Sequence, residues 1–241
     1  MNDIENNFME IRIKELRKLY SGKVVVDIPE LKMGNGEIVG LVGNNGAGKT
    51  TLLRLLLDLI KADGGVVYSN GNDVRKDEEW KKYTGSFIDE RFLIPFLTPE
   101  EFFKIVGEMY NLSYHDLCLE RFYQLMHDEI LGQKKQIRHF SRGNQQKIGI
   151  IAAIMINPKV IVLDEPFNFL DPSSQMAMSD LIKQLTEELG ASVIISSHSL
   201  NSVLEISTRI LVMEKGRIIH DVKNEKDKTM RILSDYFKLN L

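Results

Sequence analysis

The sequence predicts an α/β fold with a mostly parallel sheet, an antiparallel β region at its start and an α-helical subdomain set into the core. Three observations predict it. Residues 37–42, 160–163 and 192–196 are short apolar runs, and helix-period or turn-rich stretches follow them, as in buried parallel strands. Residues 8–20 alternate apolar and charged side chains through Ile11, Ile13 and Leu16, and 24–28 read as a second strand. From about 98 to 157 the period turns helical and strand signals become few.

The elements follow in order. Gly34-Asn35-Gly36 is a turn before the 37–42 strand, 51–57 reads as a helix, and 66–68 reads as a further strand. Thr98 as N-cap, Pro99 in the first turn and Glu100 and Glu101 behind it open a helix. Helical patterns continue over 117–130 and 145–156, and again over 173–189. Lys215-Gly216 joins two late strands, 209–214 and 217–220, as a hairpin, and 226–241 reads as a last helix. The α/β core is therefore expected over about 1–83 and 158–241, and the helical subdomain over about 84–157.

Composition narrows the class. The chain has 241 residues, 43% of them apolar, enough for a large core, and a net charge of −3 that gives no global basic field for nucleic acid. Cys118 is the one cysteine, which excludes an internal disulfide and fits a reducing compartment; between Leu117 and Leu119 it reads as buried filler on a helix. The longest apolar run, 148–156, is too short to span a bilayer, and the polar, acidic start is unlike a secretory signal. The expected place is the cytoplasm, with any membrane span supplied by another chain.

The chemistry starts at Gly43-Asn44-Asn45-Gly46-Ala47-Gly48-Lys49-Thr50, which fits G-x-x-x-x-G-K-[ST], the phosphate-binding loop of nucleoside triphosphatases. The pattern arises by chance in about one chain of this size in a hundred, and its placement between a strand and a helix lowers that further. Glycines let successive N–H groups point at phosphate oxygens, and Thr51 continues into a helix whose positive end faces the anion. Lys49 is expected to reach the β- and γ-phosphates of ATP and the Thr50 hydroxyl to bind Mg²⁺. The strand 160–163 ends in Asp164 and Glu165, so both carboxylates emerge at the sheet edge where ligands bind. Asp164 is expected to hold Mg²⁺ and Glu165 to serve as general base for the attacking water. His198 follows the next apolar strand and reaches the same edge, where it could donate to the γ-phosphate. Ser141 caps a further helix, which with Gly143 nearby offers free N–H groups to a second anion.

Together these residues resemble the nucleotide-binding subunits of ATP-binding cassette (ABC) transporters over nearly the whole chain. Gly43 to Thr50 matches Walker A, and the strand ending in Asp164 and Glu165 matches Walker B. Phe140-Ser141-Arg142-Gly143-Asn144 aligns with the signature LSGGQ, Phe169-Leu170-Asp171 with the D-loop, and His198 with the switch histidine. The resemblance implies a head-to-tail dimer in which Ser141 and Gly143 touch ATP held mainly by the partner and Asp171 communicates across the interface. It also implies that Tyr20 stacks on adenine, and that a polytopic permease in the cell membrane holds the ATPase on its inner face. Two positions depart from the family. Arg142 and Asn144 replace glycine and glutamine, a form similar to ATPases of the sodium-export and bacitracin-resistance type. Asp89 falls where the family places a glutamine, with Glu90 as the other counterpart; an aspartate there could meet Mg²⁺ or the water. Residues 92–103 resemble the permease-contact region, and their aromatics read equally as contact surface or core. Export of a drug, peptide or lipid-like compound is favoured, since the chain ends soon after the late hairpin. The alternative is an ABC ATPase acting on ribosome or nucleic acid, although long coiled-coil insertions and a second cassette are absent. The guanine-reading N-K-x-D motif of GTP switches is missing too.

Overall fold

The computed structural model describes residues 10–198 and 200–239, so Phe8, Met9, Ser199, the polar start and the last two residues lie outside the described residues. Two sheets organise the chain. β1 (Ile11–Tyr20) and β2 (Lys23–Met33) form an antiparallel hairpin. Its two-residue turn puts Ser21 at φ 49° and Gly22 at φ 77°, the positive values that match strand twist. Ile11 and Ile13 enter one core as the alternation predicts, and Leu16, out of step with them, joins the same core because the strand is irregular at Glu15, which stands at φ 50°. β4 (Gly64–Ser69) pairs with β1, and the two-residue β5 (Asn72–Asp73) closes the sheet in the order β2-β1-β4-β5.

The larger sheet is built from β3 (Ile38–Val42), β6 (Thr84–Phe87), β7 (Val160–Asp164), β8 (Ser192–Ser197), β9 (Arg209–Glu214) and β10 (Arg217–Lys223), in the order β10-β9-β3-β8-β7-β6. Its neighbours are parallel except the β9–β10 hairpin. Every residue of β3, β7 and β8 is buried, which explains their continuous apolar runs.

α1 (Lys49–Leu56) lies between the two sheets, where Leu52 and Leu53 join Ile13, Leu16, Val39 and Leu41 in one core. The opposite face of the larger sheet is covered by a second core containing α4 (Arg142–Ile154) and α5 (Pro172–Leu189). α2 (Pro99–Met109) opens with a complete capping box: the Glu101 N–H donates to Thr98 Oγ1 at 3.3 Å and the Thr98 N–H to Glu101 Oε2 at 2.8 Å. α6 (Leu200–Ile206) packs on β3 and β8, and α7 (Asp227–Leu239) is the last helix.

The helix expected over 117–130 is broken. Cys118 and His127 adopt φ 46° and 45°, which interrupts the hydrogen-bond ladder and leaves 3₁₀ turns around a single helical turn, α3 (Tyr123–Met126). The apolar residues read as one helical stripe, Phe122, Leu125, Met126 and Ile130 among them, still reach the core, while Cys118 is exposed and not the buried filler its sequence neighbours suggest. α4 starts at Arg142, directly after its expected cap Ser141, and so carries the helical pattern of 145–156 three residues further back. Residues 84–87, at the start of the segment assigned to the helical insert, form the edge strand of the larger sheet. No helix among the described residues is long and apolar enough to cross a membrane.

Candidate active site

The phosphate loop follows β3, Glu165 follows β7 and His198 follows β8. The register pairs Val42 with Ser197 and Asp164 with Ser196, so the three strands end at one level and deliver these residues to one edge. They meet in a cleft of about 470 Å³ lined by Asn45, Gly46, Ala47, Gly48, Lys49, Thr50 and Thr51, by Glu165 and His198, and by Val25 and Asn168.

Glycine is required at the last turn of the loop. Gly48 sits at φ 109° at the N-cap of α1, and a Cβ there would lie 2.6 Å from the Val25 carbonyl oxygen. Gly46, at φ 80°, faces open space, so backbone can come close to a ligand there. The Ala47 N–H donates to the Asn44 carbonyl at 3.0 Å, which curls the loop. The buried Lys49 ammonium donates to the Gly43 carbonyl at 2.7 Å and lies 3.9 Å from Glu165 Oε1. The other carboxylate oxygen of Glu165 is 2.7 Å from His198 Nδ1 and accepts the His198 N–H at 3.2 Å. Cation, carboxylate and imidazole thus converge at the helix end that attracts anions. Glu165 itself stands at φ 50°, an unfavourable conformation for a non-glycine residue and of a kind that clusters at functional sites.

Asp164 is buried behind this row, where one carboxylate oxygen accepts from Ser196 Oγ. Ser196 Oγ also accepts the Glu165 N–H at 3.0 Å, which joins the two acids through one hydroxyl. Thr50 and Asp164 supply a hydroxyl and a carboxylate, and Mg²⁺ typically takes one or two carboxylates with phosphate oxygens. That donor set fits Mg²⁺ brought with a triphosphate. No group of three or more His, Cys, Asp or Glu among the described residues forms a metal site by itself.

Eight expected residues lie outside the cleft lining: Gly43, Asn44 and Asp164, and with them Tyr20, Asp89, Ser141, Gly143 and Asp171. Tyr20 ends β1 half exposed, with Lys18 Nζ 5.2 Å from its ring centre. Ser141 caps α4 by accepting the Asn144 N–H at 3.2 Å, and Gly143 packs so closely on the Phe169 carbonyl that a Cβ would lie 2.5 Å away. Asp171 caps α5, and the hydroxyls of Ser173 and Ser174 hold its carboxyl well below the usual carboxylate range. Asp89, expected as a metal ligand, is paired with two arginines. Arg91 donates to both its oxygens at 3.0 and 2.7 Å, and Arg54 of α1 donates at 3.2 Å. The Arg91 hydrogen bonds in particular lower its pKa, and the Arg91 N–H donates to the same carboxylate at 2.9 Å.

The comparisons with known proteins agree with this geometry. Residues 26–168 match the family model described as ABC transporter. The chain belongs to the ABC transporter family, as an ATP-binding ATPase subunit. An ABC transporter ATP-binding protein of Methanocaldococcus jannaschii, MJ1023, is 34% identical over 90% of this chain and 78% of its own length. The bacitracin transport ATP-binding protein BcrA of Bacillus licheniformis is 32% identical over 88% of this chain and 69% of its own. Among solved structures, the dimeric ABC transporter cassette MJ0796 superposes with a TM-score of 0.81 at 25% identity, over 89% of this chain and 99% of that one. The same cassette bound to ADP and phosphate superposes with a TM-score of 0.80. The chain therefore has the fold and the ATPase class that its motifs predict. What sequence reading missed around the cleft is Val25, Ser196, Asn168 and Gln146, single polar or apolar residues without a motif of their own.

Proposed function

We propose that this chain is the energising ATPase of an ABC exporter for a peptide, drug or lipid-like compound. The convergence of Lys49, Glu165 and His198 on one sheet edge carries the ATPase part of the reading. The direction rests on the Ser141-Arg142-Gly143-Asn144 form of the signature and on the likeness to BcrA. A spermidine/putrescine import protein, PotA of Haemophilus influenzae, is 29% identical over 91% of the chain, so export is argued from the signature and not from kinship alone.

In this mechanism the loop N–H groups and Lys49 bind the β- and γ-phosphates of ATP. Thr50 and Asp164 would hold Mg²⁺, which when bound would neutralise phosphate charge. Glu165 accepts a proton from the water whose oxygen bonds to the γ-phosphorus, and the bond to the ADP oxygen breaks. His198, hydrogen-bonded to Glu165 through Nδ1, fixes that carboxylate on the side of the cleft where the γ-phosphate binds. Tyr20 stacks on adenine. Two chains, identical or closely related, sit head to tail, with Ser141 and Gly143 of one on the ATP of the other and Asp171 near the interface. Closure on ATP and reopening after hydrolysis is a population shift driven by a ligand that bridges both halves.

The helical part, about residues 84–157, carries the contact to a polytopic permease that holds the ATPase at the inner face of the membrane. Phe92, Phe96 and Met109 expose 54, 61 and 76% of their surface there, whereas Phe102 and Phe103 are core, so the aromatics of this segment divide between the two readings. Glu165→Gln should nearly stop turnover while an ATP-dependent dimer accumulates in size-exclusion chromatography. Normal hydrolysis by that variant rejects the general-base role. Co-purification with ribosomes or DNA, in place of a polytopic membrane protein, rejects the transporter role.

A further inference from the structure

Gln146 lies in the second turn of α4, almost fully buried, and no motif assigns it. Its side-chain Nε2 donates to the backbone carbonyl of Glu165 at 3.0 Å, a contact 19 residues apart in sequence. Because a carbonyl only accepts, the amide orientation is set: the nitrogen faces Glu165.

This bond is more than polar satisfaction. The Glu165 carbonyl already accepts the Asn168 N–H at 3.1 Å, which meets the requirement of a buried acceptor. Gln146 is a second donor, reaching in from a different element. On the other side of the residue the Glu165 N–H donates to both the carbonyl and the Oγ of Ser196, at 3.1 and 3.0 Å. A residue at φ 50° is thus clamped at its N–H and at its carbonyl. Such backbone strain persists only where the surroundings over-determine it. Relaxation to the ordinary right-handed region would swing the side chain away from Lys49 and His198, which now bracket its two oxygens.

The helix that supplies Gln146 also carries Ser141 and Gly143 at its start, and it grips the loop beyond Glu165 at two further points. Gly143 packs against the Phe169 carbonyl, and the Arg142 guanidinium lies 5.5 Å from the Phe169 ring centre. A shift of α4 therefore pulls on the segment that orients the carboxylate.

We propose that Gln146 is a positioning residue for Glu165, holding its left-handed backbone and tying the carboxylate to the helix whose N-terminus meets the partner's nucleotide. This rests on the reading of Glu165 as general base. Gln146→Met keeps length and volume but removes the donor. It should lower kcat for ATP by about tenfold, the order of one lost hydrogen bond in a positioned group, with KM for ATP within twofold and the thermal midpoint little changed. Gln146→Asn, one methylene shorter, keeps a polar amide and should lose the same fraction of kcat; it serves if the methionine variant folds poorly. In a Glu165→Gln background, Gln146→Met should have no further effect, since it acts through the carboxylate. Unchanged kcat in both Gln146 variants, a rise in KM in place of a fall in kcat, or a full additive loss in the Glu165→Gln background overturns the proposal. A dead Glu165→Gln beside normal Gln146 variants rejects the positioning role alone, whereas full hydrolysis by Glu165→Gln rejects the general base first and this role with it.

Discussion

Replacing Lys49 by methionine separates what this side chain does for the fold from what it does for the ligand. Its ammonium is buried, donates to the Gly43 carbonyl at 2.7 Å and lies 3.9 Å from a Glu165 oxygen. Without nucleotide, Lys49→Met loses one hydrogen bond, worth about 1 kcal/mol net. It also removes a buried cation whose desolvation costs several kcal/mol and is only partly offset by one carboxylate. Glu165 keeps His198 at 2.7 Å. The two changes oppose each other, so unfolding free energy in denaturant should move by no more than about 1 kcal/mol. Against ATP nothing cancels. Two unit charges about 4 Å apart interact by about 4 kcal/mol at an effective dielectric of 20. The cleft opens to water, and taking about half to three-quarters of that value leaves 2–3 kcal/mol, or about thirty- to a hundred-and-fifty-fold in affinity. Calorimetric titration with a non-hydrolysable ATP analogue reads the second number directly. Thermal melts at saturating analogue read it again, because the wild-type protein gains about 2.7 kcal/mol at one hundred times its dissociation constant. Affinity within threefold of wild type would show that Lys49 does not face the phosphates. A loss of more than about 3 kcal/mol without nucleotide would show a structural strut.

Three further outcomes test other parts of the account. Tyr20→Ala should weaken ATP about fivefold, the order of one lost aromatic stack; unchanged affinity in the same titration moves adenine away from the end of β1. Asp89→Asn should destabilise the protein by about 1 kcal/mol at pH 7 through its two arginines. The Asp89 pKa lies below its ordinary 3.8, so the contribution is complete above that value and is lost as pH falls through the lower folded value. Denaturant unfolding of the two proteins should therefore converge as the pH falls below 3.8, and a constant gap would show that the charge is not the cause. Gly149→Ala should cost about 3 kcal/mol, because its Cβ would fall 2.0 Å from a carbon of the buried Phe87 ring, joining α4 to β6; a loss under 1 kcal/mol would mean that the ring turns aside freely.

Periodicity and spacing made most of the core legible. Each fully buried parallel strand is a continuous apolar run, each capped helix of more than two turns begins at or near its cap, and the late hairpin turns at Lys215 and Gly216. The broken segment at 117–130 escaped because burial and helix are separate matters. The same stripe of leucines and phenylalanines is buried by a chain of 3₁₀ turns, and the breaks fall at Cys118 and His127, whose side chains carry no turn signal. Within the site, residues that act through a backbone spacing were visible: the loop glycines, Lys49 and the acid pair. Residues that act through one side chain from a distant element were not. Ser196 and Gln146 touch Asp164 and Glu165 across gaps of 32 and 19 positions, and nothing local to either position encodes the contact.

Asp89 shows why residue type alone could not assign the metal ligands. It and Glu165 are both carboxylates placed just beyond parallel strands of one sheet. What separates them is the cation each meets. Asp89 is held by Arg54 and by a two-pronged Arg91, guanidinium groups that stay charged at any physiological pH and match a carboxylate in plane and spacing. A metal would have to displace both. Glu165 meets a lysine at 3.9 Å, already shared with the Gly43 carbonyl, and an exposed histidine. A triphosphate offers Lys49 more negative charge than Glu165 does, and His198 keeps its bond to Glu165 at Nδ1. On the proposed mechanism, ligand binding frees Glu165 from its cation while its orientation is kept. A carboxylate loosely paired in this way can take up a proton from water, whereas one locked between two arginines can only hold two elements together.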